Sequence, residues 1–153
     1  MPQSTLTIED ASIRHLDRLI EIEMECFEKE AFTKQQIAYL LTDYNSISLV
    51  AKINDKIVGF IIGKINVQRK SLAGHILTID ISPTHRRKGI AERLLQEIEK
   101  IFREKGIKVC YLEVREDNIA ALSLYQKSGY KKIGRLKNYY ENAHGIYLRK
   151  TLT

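Results

Sequence analysis

Cysteine is scarce: Cys26 and Cys110 are the only two in 153 residues, far apart and with no histidine cluster beside either. That usage excludes a disulfide-built scaffold, argues against a zinc site or any other metal centre, and points to a reducing compartment. Proline is equally scarce, with Pro2 and Pro83 alone. No repeat, low-complexity tract or linker interrupts the chain, so one domain over residues 1–153 is expected. Long apolar runs are missing too, and acidic residues follow soon after Met1, so neither a signal peptide nor a membrane span is expected and the chain should be cytoplasmic. The net charge is +6, yet cations alternate with acids in stretches such as Arg103-Glu104-Lys105 and Glu113-Val114-Arg115-Glu116. That is the pattern of solvated faces, and nucleic acid is not the expected main partner.

What is present is enough apolar residue, 44%, to build a core at this length. Thr5 to Ile8 alternates as a short strand, and Ser12 offers an N-cap for a helix with Leu16, Leu19, Ile20 and Met24 on one side. A second helix is predicted from Thr33, after the junction "CFEKEAF" (Cys26 to Phe32). From Ser46 the period becomes strand-like: "SISLVAKI", the turn pair Asn54-Asp55, then "KIVGFIIGKINV" form a hairpin. "GHILTIDIS" follows as a third strand of the run, ended by Pro83. Ala91, Leu94, Leu95, Ile98 and Phe102 share one helical face, and Gly106 stops that helix. "IKVCYLEV" is a strand, Asp117-Asn118 cap a short helix with Ala121, Leu124 and Tyr125, and Gly129 ends it. Strands at Tyr130–Leu136 and Gly145–Leu152 flank a tyrosine-rich connection. The order β-α-α-β-β-β-α-β-α-β-β predicts a mixed α/β (α+β) fold with helices on both faces of one sheet.

The stretch "HRRKGIAERLL" places His85, Arg86, Arg87, Lys88 and Arg93 around Gly89, where a strand passes into a helix. Unpaired N–H groups at the positive end of a helix dipole suit a phosphate, and a glycine there lets backbone approach a ligand closely. An ordinary glycine-containing turn with solvated cations fits the same letters. No Gly-Lys-Ser/Thr follows, so it is not a P-loop, and the three-glycine spacing of a dinucleotide fold is absent.

In its wider context, "ISPTHRRKGIAERLL" resembles the acetyl-CoA signature of the GCN5-related N-acetyltransferases (GNAT), Gln/Arg-x-x-Gly-x-Gly/Ala, met here by Arg86, Gly89 and Ala91. "LEVREDNIAALSLYQKSGYKK" resembles the second half of that family, and the element order is the same. Within it, "GHILTIDIS" with "HRRKGIA" is similar to Ard1-type enzymes and "LEVREDNIAALSLY" with "NYYENAHG" to RimI-type ones, a combination similar to archaeal protein N-terminal acetyltransferases. The first thirty residues match loosely. Gly145 departs from the acidic residue that relatives often carry before the last strand, which bears on substrate preference.

The resemblance implies a mostly antiparallel sheet splayed between its fourth and fifth strands, with acetyl-CoA as cosubstrate. It places Arg86, Arg87, Lys88, Gly89, Ile90 and Ala91 at the pyrophosphate. Ile79, Asp80 and Ile81 would pair with pantetheine through their backbone, and Asn118, Tyr125 and Lys127 would complete the cofactor site. Glu113 becomes the candidate base, acting through an ordered water, with His75 across the splay able to share that water; each is also compatible with an ordinary strand residue. Tyr125 becomes the candidate acid for the departing thiolate, with simple packing as the other reading. Phe27, Glu30, Phe32, Leu77, Tyr139 and Tyr140 are candidates for acceptor recognition, although neighbouring tyrosines on a strand face opposite ways unless the segment curls. Three functions stay open: acetylation of protein N-termini, ribosomal proteins among them; acetylation of a small amine or internal lysine; and a non-catalytic acyl-CoA-binding or nucleic-acid-associated module. An accessory subunit or a homodimer is compatible with any of them.

Overall fold

Seven strands in the order β1-β2-β3-β4-β5-β7-β6 form one sheet. In the computed structural model, residues 5–27 and 29–153 are described. The strands are β1 (Leu6–Asp10), β2 (Ser46–Ile53), β3 (Lys56–Gln68), β4 (Ser71–Ile81), β5 (Val109–Arg115), β6 (Lys131–Tyr140) and β7 (Ala143–Thr151), and the helices are α1 (Leu16–Cys26), α2 (Lys34–Thr42), α3 (Ile90–Glu104) and α4 (Ile119–Lys127). This is the element order predicted from periodicity and turn chemistry.

Local chemistry accounts for most boundaries. Thr33 caps α2, its hydroxyl accepting from the Gln36 N–H at 3.1 Å while Gln36 Oε1 accepts from the Thr33 N–H at 2.8 Å. Asn54 and Asp55 take the left-handed turn conformation (φ 52° and 64°) that the β2–β3 hairpin needs. Arg69 and Lys70 do the same (φ 50° and 69°) and lengthen β4 back to Ser71, a hairpin that residues without glycine or asparagine conceal in the sequence. The tyrosines expected in a connection instead belong to β6, which runs to Tyr140.

The core has two halves. On one face α3 buries Ile90, Leu94, Leu95, Ile98 and Phe102 against β-strand residues that include Cys110, Leu112 and Leu148. Each such side chain contributes about 1.5–3 kcal/mol by burial. On the other face Leu19 and Ile22 of α1 and Ile37 and Leu40 of α2 cover Val50, Phe60 and Ile62. Helix α1 packs through Leu19, Ile22 and Glu23, which leaves Met24 67% exposed rather than on the apolar side as predicted. Ser12 opens a 3-10 turn ahead of α1, its N–H donating to His15 Nδ1 at 3.0 Å, and does not cap α1 directly. Among the described residues no helix is long and apolar enough to cross a membrane.

Two irregularities position the site. Strands β4 and β5 are parallel neighbours but pair only at Gly74–Cys110 and His75–Tyr111, and beyond that they part. In β4, Ile76 pairs with Gly63 and Thr78 with Ile62, so Leu77 is an extra residue that bends the strand just where the parting begins.

Candidate active site

Beyond the parting, β4 presents a strand edge that β5 does not occupy. A cleft of about 730 Å³ runs along it, lined by Ile79 and Ile81, the Arg86–Ala91 loop without Lys88, and Asn118, Ala121, Leu124 and Lys127 of the α4 region. Its far end is the N-terminus of α3, where Arg87 (φ 63°) and Gly89 (φ 76°) both take left-handed backbone, the conformation from which anion-binding turns are built. No protein atom lies within 4 Å of where a Gly89 Cβ would be. The glycine therefore answers to its backbone angle first, and the open space beside it is the cleft. These are features a pyrophosphate requires: left-handed turn backbone, a helix N-terminus, and the Arg87 and Lys127 cations on the rim.

Among the predicted cofactor residues, Asp80, expected to act through its backbone, and Asn118, expected as a cap, stand as the sequence reading had them, while Lys88 lies outside the cleft lining and the Arg86 guanidinium is engaged by protein atoms. The Arg86 side chain, exposed on the cleft wall, donates from Nε to the Ile81 carbonyl at 3.2 Å and from Nη2 to Cys26 Sγ at 3.4 Å, so it ties the loop to the end of β4 and to α1. Lys88 is exposed and outside the cleft lining. Asp80 is 1% exposed and faces α1 rather than the cleft, bonded to the Thr78 hydroxyl. Burial, and then the neighbouring Glu23, push the Asp80 carboxyl well above its ordinary range. The Asn118 side chain caps α4, accepting from the Ala121 N–H at 3.1 Å.

A second pocket, about 400 Å³, opens on the other side of the splay and meets the cleft at Phe27, Ile79, Asn118 and Ala121. Strand alternation buries Cys110, Leu112 and Val114 and leaves Tyr111, Glu113 and Arg115 on the opposite face, and the end of the strand, Glu113 to Arg115, lines this pocket. His75 Nε2 lies 2.7 Å from Glu113 Oε1, with both side chains 18% exposed. The two candidate residues therefore meet directly across the splay. The Asn66 amide lies 3.4 Å from His75 Nδ1 and donates to the Tyr111 hydroxyl at 3.1 Å, while the Tyr111 ring stacks on His75 at 4.3 Å. With Asn66 donating to Nδ1, the imidazole N–H sits on Nε2 and points at the carboxylate. Neither Asn66 nor Tyr111 was singled out in the sequence.

Tyr125 reaches the same pocket from α4 and is 9% exposed. Burial raises its phenol further above the ordinary range, so it stays protonated at neutral pH.

Phe27, Glu30, Phe32, Leu77, Tyr139 and Tyr140 all line this pocket. Both tyrosines do so because the strand curls: Asn138 has φ 54°, the β6–β7 register slips between Leu136 and Tyr140, and the two rings meet edge-on at 4.9 Å. The departure at Gly145 has a steric reason, since a Cβ there would stand 3.1 Å from Tyr139 Cβ, tighter than a well-packed contact.

Arg115 was missed. It forms an ion pair with Glu30, donates to both Asp117 carboxylate oxygens at 2.9 and 3.0 Å, and lies over the Tyr140 ring at 5.6 Å. It thus joins the α1–α2 loop, the β5 end and β6 around one pocket. The signal was available: Arg115 sits two residues past Glu113 on the same strand face. Replacing it by methionine is expected to raise the peptide KM about tenfold or more, with the acetyl-CoA KM unchanged. Steady-state kinetics varying each substrate in turn would show it, and a rise in the acetyl-CoA KM alone would contradict the assignment. Glu23, also unforeseen, accepts from the Phe32 N–H at 2.9 Å and so pins the same loop from the core side.

Residues 16–130 match the acetyltransferase (GNAT) family. The chain belongs to that family. It is 32% identical to an N-alpha-acetyltransferase of Saccharolobus solfataricus, over 93% of this chain and 90% of that one. It is 33% identical to N-alpha-acetyltransferase 30 of Schizosaccharomyces pombe, over 74% and 76% of the two chains. The ribosomal-protein-S18-alanine N-acetyltransferase of Escherichia coli shares its fold at a TM-score of 0.87, covering 97% of this chain and 95% of that one at 20% identity. As a GNAT member the chain is an acetyl-CoA-dependent N-acetyltransferase.

Proposed function

We propose that this GNAT enzyme acetylates the N-terminal α-amino group of proteins as a single cytoplasmic domain, with Glu113 as base, His75 as its positioning partner and Tyr125 as acid. The observation that carries the reading is the His75–Glu113 bond at 2.7 Å inside a pocket continuous with the cofactor cleft.

Bound acetyl-CoA supplies an activated acetyl thioester. The Arg86–Ala91 loop holds its phosphates, and the free β4 edge at Ile79 to Ile81 offers amides and carbonyls to an extended amide-bearing chain. Leu77, as the extra residue in β4, turns a nearby backbone N–H away from the ladder, where it can polarise a carbonyl. An acceptor amine must lose a proton to attack. An α-amino group has an ordinary pKa of about 7.7–8.0 against about 10.4 for lysine, so a carboxylate suffices for the former. Glu113 takes that proton while His75 fixes its orientation, and Tyr125 returns a proton to the leaving sulfur.

The pocket walls support an end-on peptide. Phe27, Phe32, Tyr139 and Tyr140 all line the pocket, an aromatic one into which a chain terminus fits more readily than a lysine from the middle of a segment. Glu30, held by Arg115, places one negative charge on the rim. Acetylation of a small amine or an internal lysine is the competing reading.

A peptide panel tests it: free and blocked N-termini, lysine-containing peptides with blocked termini, and polyamines. Acetylation confined to free N-termini is expected, with Tyr139→Ala and Phe32→Ala raising the peptide KM more than the acetyl-CoA KM. Turnover of blocked lysine peptides or polyamines at rates equal to free termini would overturn the acceptor assignment.

A further inference from the structure

The whole net charge of the chain lies in its last 27 residues. Residues 127–153 contain seven of the 25 Lys and Arg and one of the 19 Asp and Glu, so the preceding 126 residues hold 18 of each and are neutral. It is the excess of cations that is concentrated, and the segment holds the β6–β7 hairpin with β6 as the sheet's outer edge.

Three of the seven are committed within the fold. Lys127 pairs with Glu92 at 3.1 Å, Arg135 with Glu116 at 2.8 Å and Lys150 with Glu99 at 2.7 Å. Lys131, Lys132, Lys137 and Arg149 have no acidic side chain within 4.0 Å among the described residues. Lys131 and Arg149 are moreover direct partners in the β6–β7 register. Like charges facing each other across two strands cost stability, and no acid among the described residues pairs with them here. Such a pair is what an external anion would bridge.

We infer that the outer edge of β6 binds single-stranded nucleic acid by its phosphate backbone. Lys131, Lys132 and Lys137 are exposed along an edge strand whose outward amides have no strand partner among the described residues, and alternation puts Lys131 and Lys132 on opposite faces, so cations flank a row of N–H donors from both sides. An acidic peptide added as an eighth strand is the obvious rival. The register slips at Lys132/Gly134 and Leu136/Tyr140 and the left-handed Asn138 interrupt the edge, which defeats a continuous ladder but not a string of phosphates. An anionic membrane is disfavoured because Ile133 is the sole large apolar residue exposed before Tyr139 on this strand. The edge ends at Tyr139 and Tyr140, so a nucleic acid held at Lys131 lies about 25 Å from the acceptor pocket. That arrangement suits acceptor proteins presented on nucleic acid.

Fluorescence anisotropy with the full chain and labelled 20-nucleotide RNA and DNA tests this. Both are expected to bind alike, with affinity falling about 50-fold between 50 and 200 mM salt, as four phosphate contacts to a single strand predict. Changing Lys131, Lys132, Lys137 and Arg149 together to glutamine should abolish most of that affinity and leave turnover of a free peptide unchanged. A control carrying Lys56→Gln, Lys70→Gln, Lys100→Gln and Lys105→Gln loses the same charge and should still bind. Equal loss in the control, a tenfold preference for either nucleic acid, or equal or tighter binding of polyglutamate or anionic vesicles would overturn the inference. Peptide turnover is read separately, so failure here leaves the acceptor assignment standing, and the reverse holds.

Discussion

Glu113→Gln is expected to lower kcat about 10²–10⁴-fold at neutral pH while leaving the Kd for acetyl-CoA unchanged. Glutamine preserves the shape of the side chain and can still accept from His75 Nε2, which sits 2.7 Å from Oε1. What it removes is the basic oxygen. The loss should depend on pH in an informative way. An acceptor amine with a pKa of about 7.7–8.0 deprotonates in solution as pH rises, so a variant that binds the free amine recovers rate above about pH 8. Glu113 acting within the complex predicts a deficit that persists there. A pH–rate profile of both proteins separates the two. If Glu113→Gln keeps near wild-type kcat at pH 7, the carboxylate is not the base and His75 takes its place as the residue to test.

Gly89→Val should raise the Kd for acetyl-CoA by a factor on the order of 10² without unfolding the protein. Gly89 holds φ 76°, a conformation that costs a β-branched residue about 1–3 kcal/mol, and the loop relieves that strain by leaving the anion-binding turn conformation. Asparagine separates backbone from steric causes. It tolerates left-handed backbone, and its Cβ would meet no protein atom within 4 Å. If the backbone angle is what matters, Gly89→Asn keeps most of the affinity. If the cofactor needs the space itself, both variants lose it. Calorimetry on a folded Gly89→Val protein with unchanged affinity would remove the loop from the cofactor site.

The contrast between Arg86 and Gly89 shows how far a motif carries. Both stand in the same short signature, and both were expected at the phosphates. Gly89 is where its chemistry requires, because a left-handed angle is a property of one residue and its neighbours. The Arg86 side chain has five donors and a long stem, and it is drawn to the Ile81 carbonyl and to Cys26, sixty residues away in sequence. Nothing in the motif contains that partner.

The order of elements and the glycine turn that opens α3 were determined by the sequence alone. Each depends on short-range physics: helical and strand periodicity, the Thr33 and Asn118 caps, the Asn54-Asp55 turn, and glycine at positive φ. Tertiary structure decided how those parts meet. The His75–Glu113 bond spans 38 residues and the Arg115–Glu30 pair spans 85, and both depend on the sheet register. The extra residue at Leu77 changes which side chains of β4 share a face, and it is invisible in a run whose residues suit either face. A contact between distant residues is set by the packing of whole strands and helices, and only the assembled sheet holds that information.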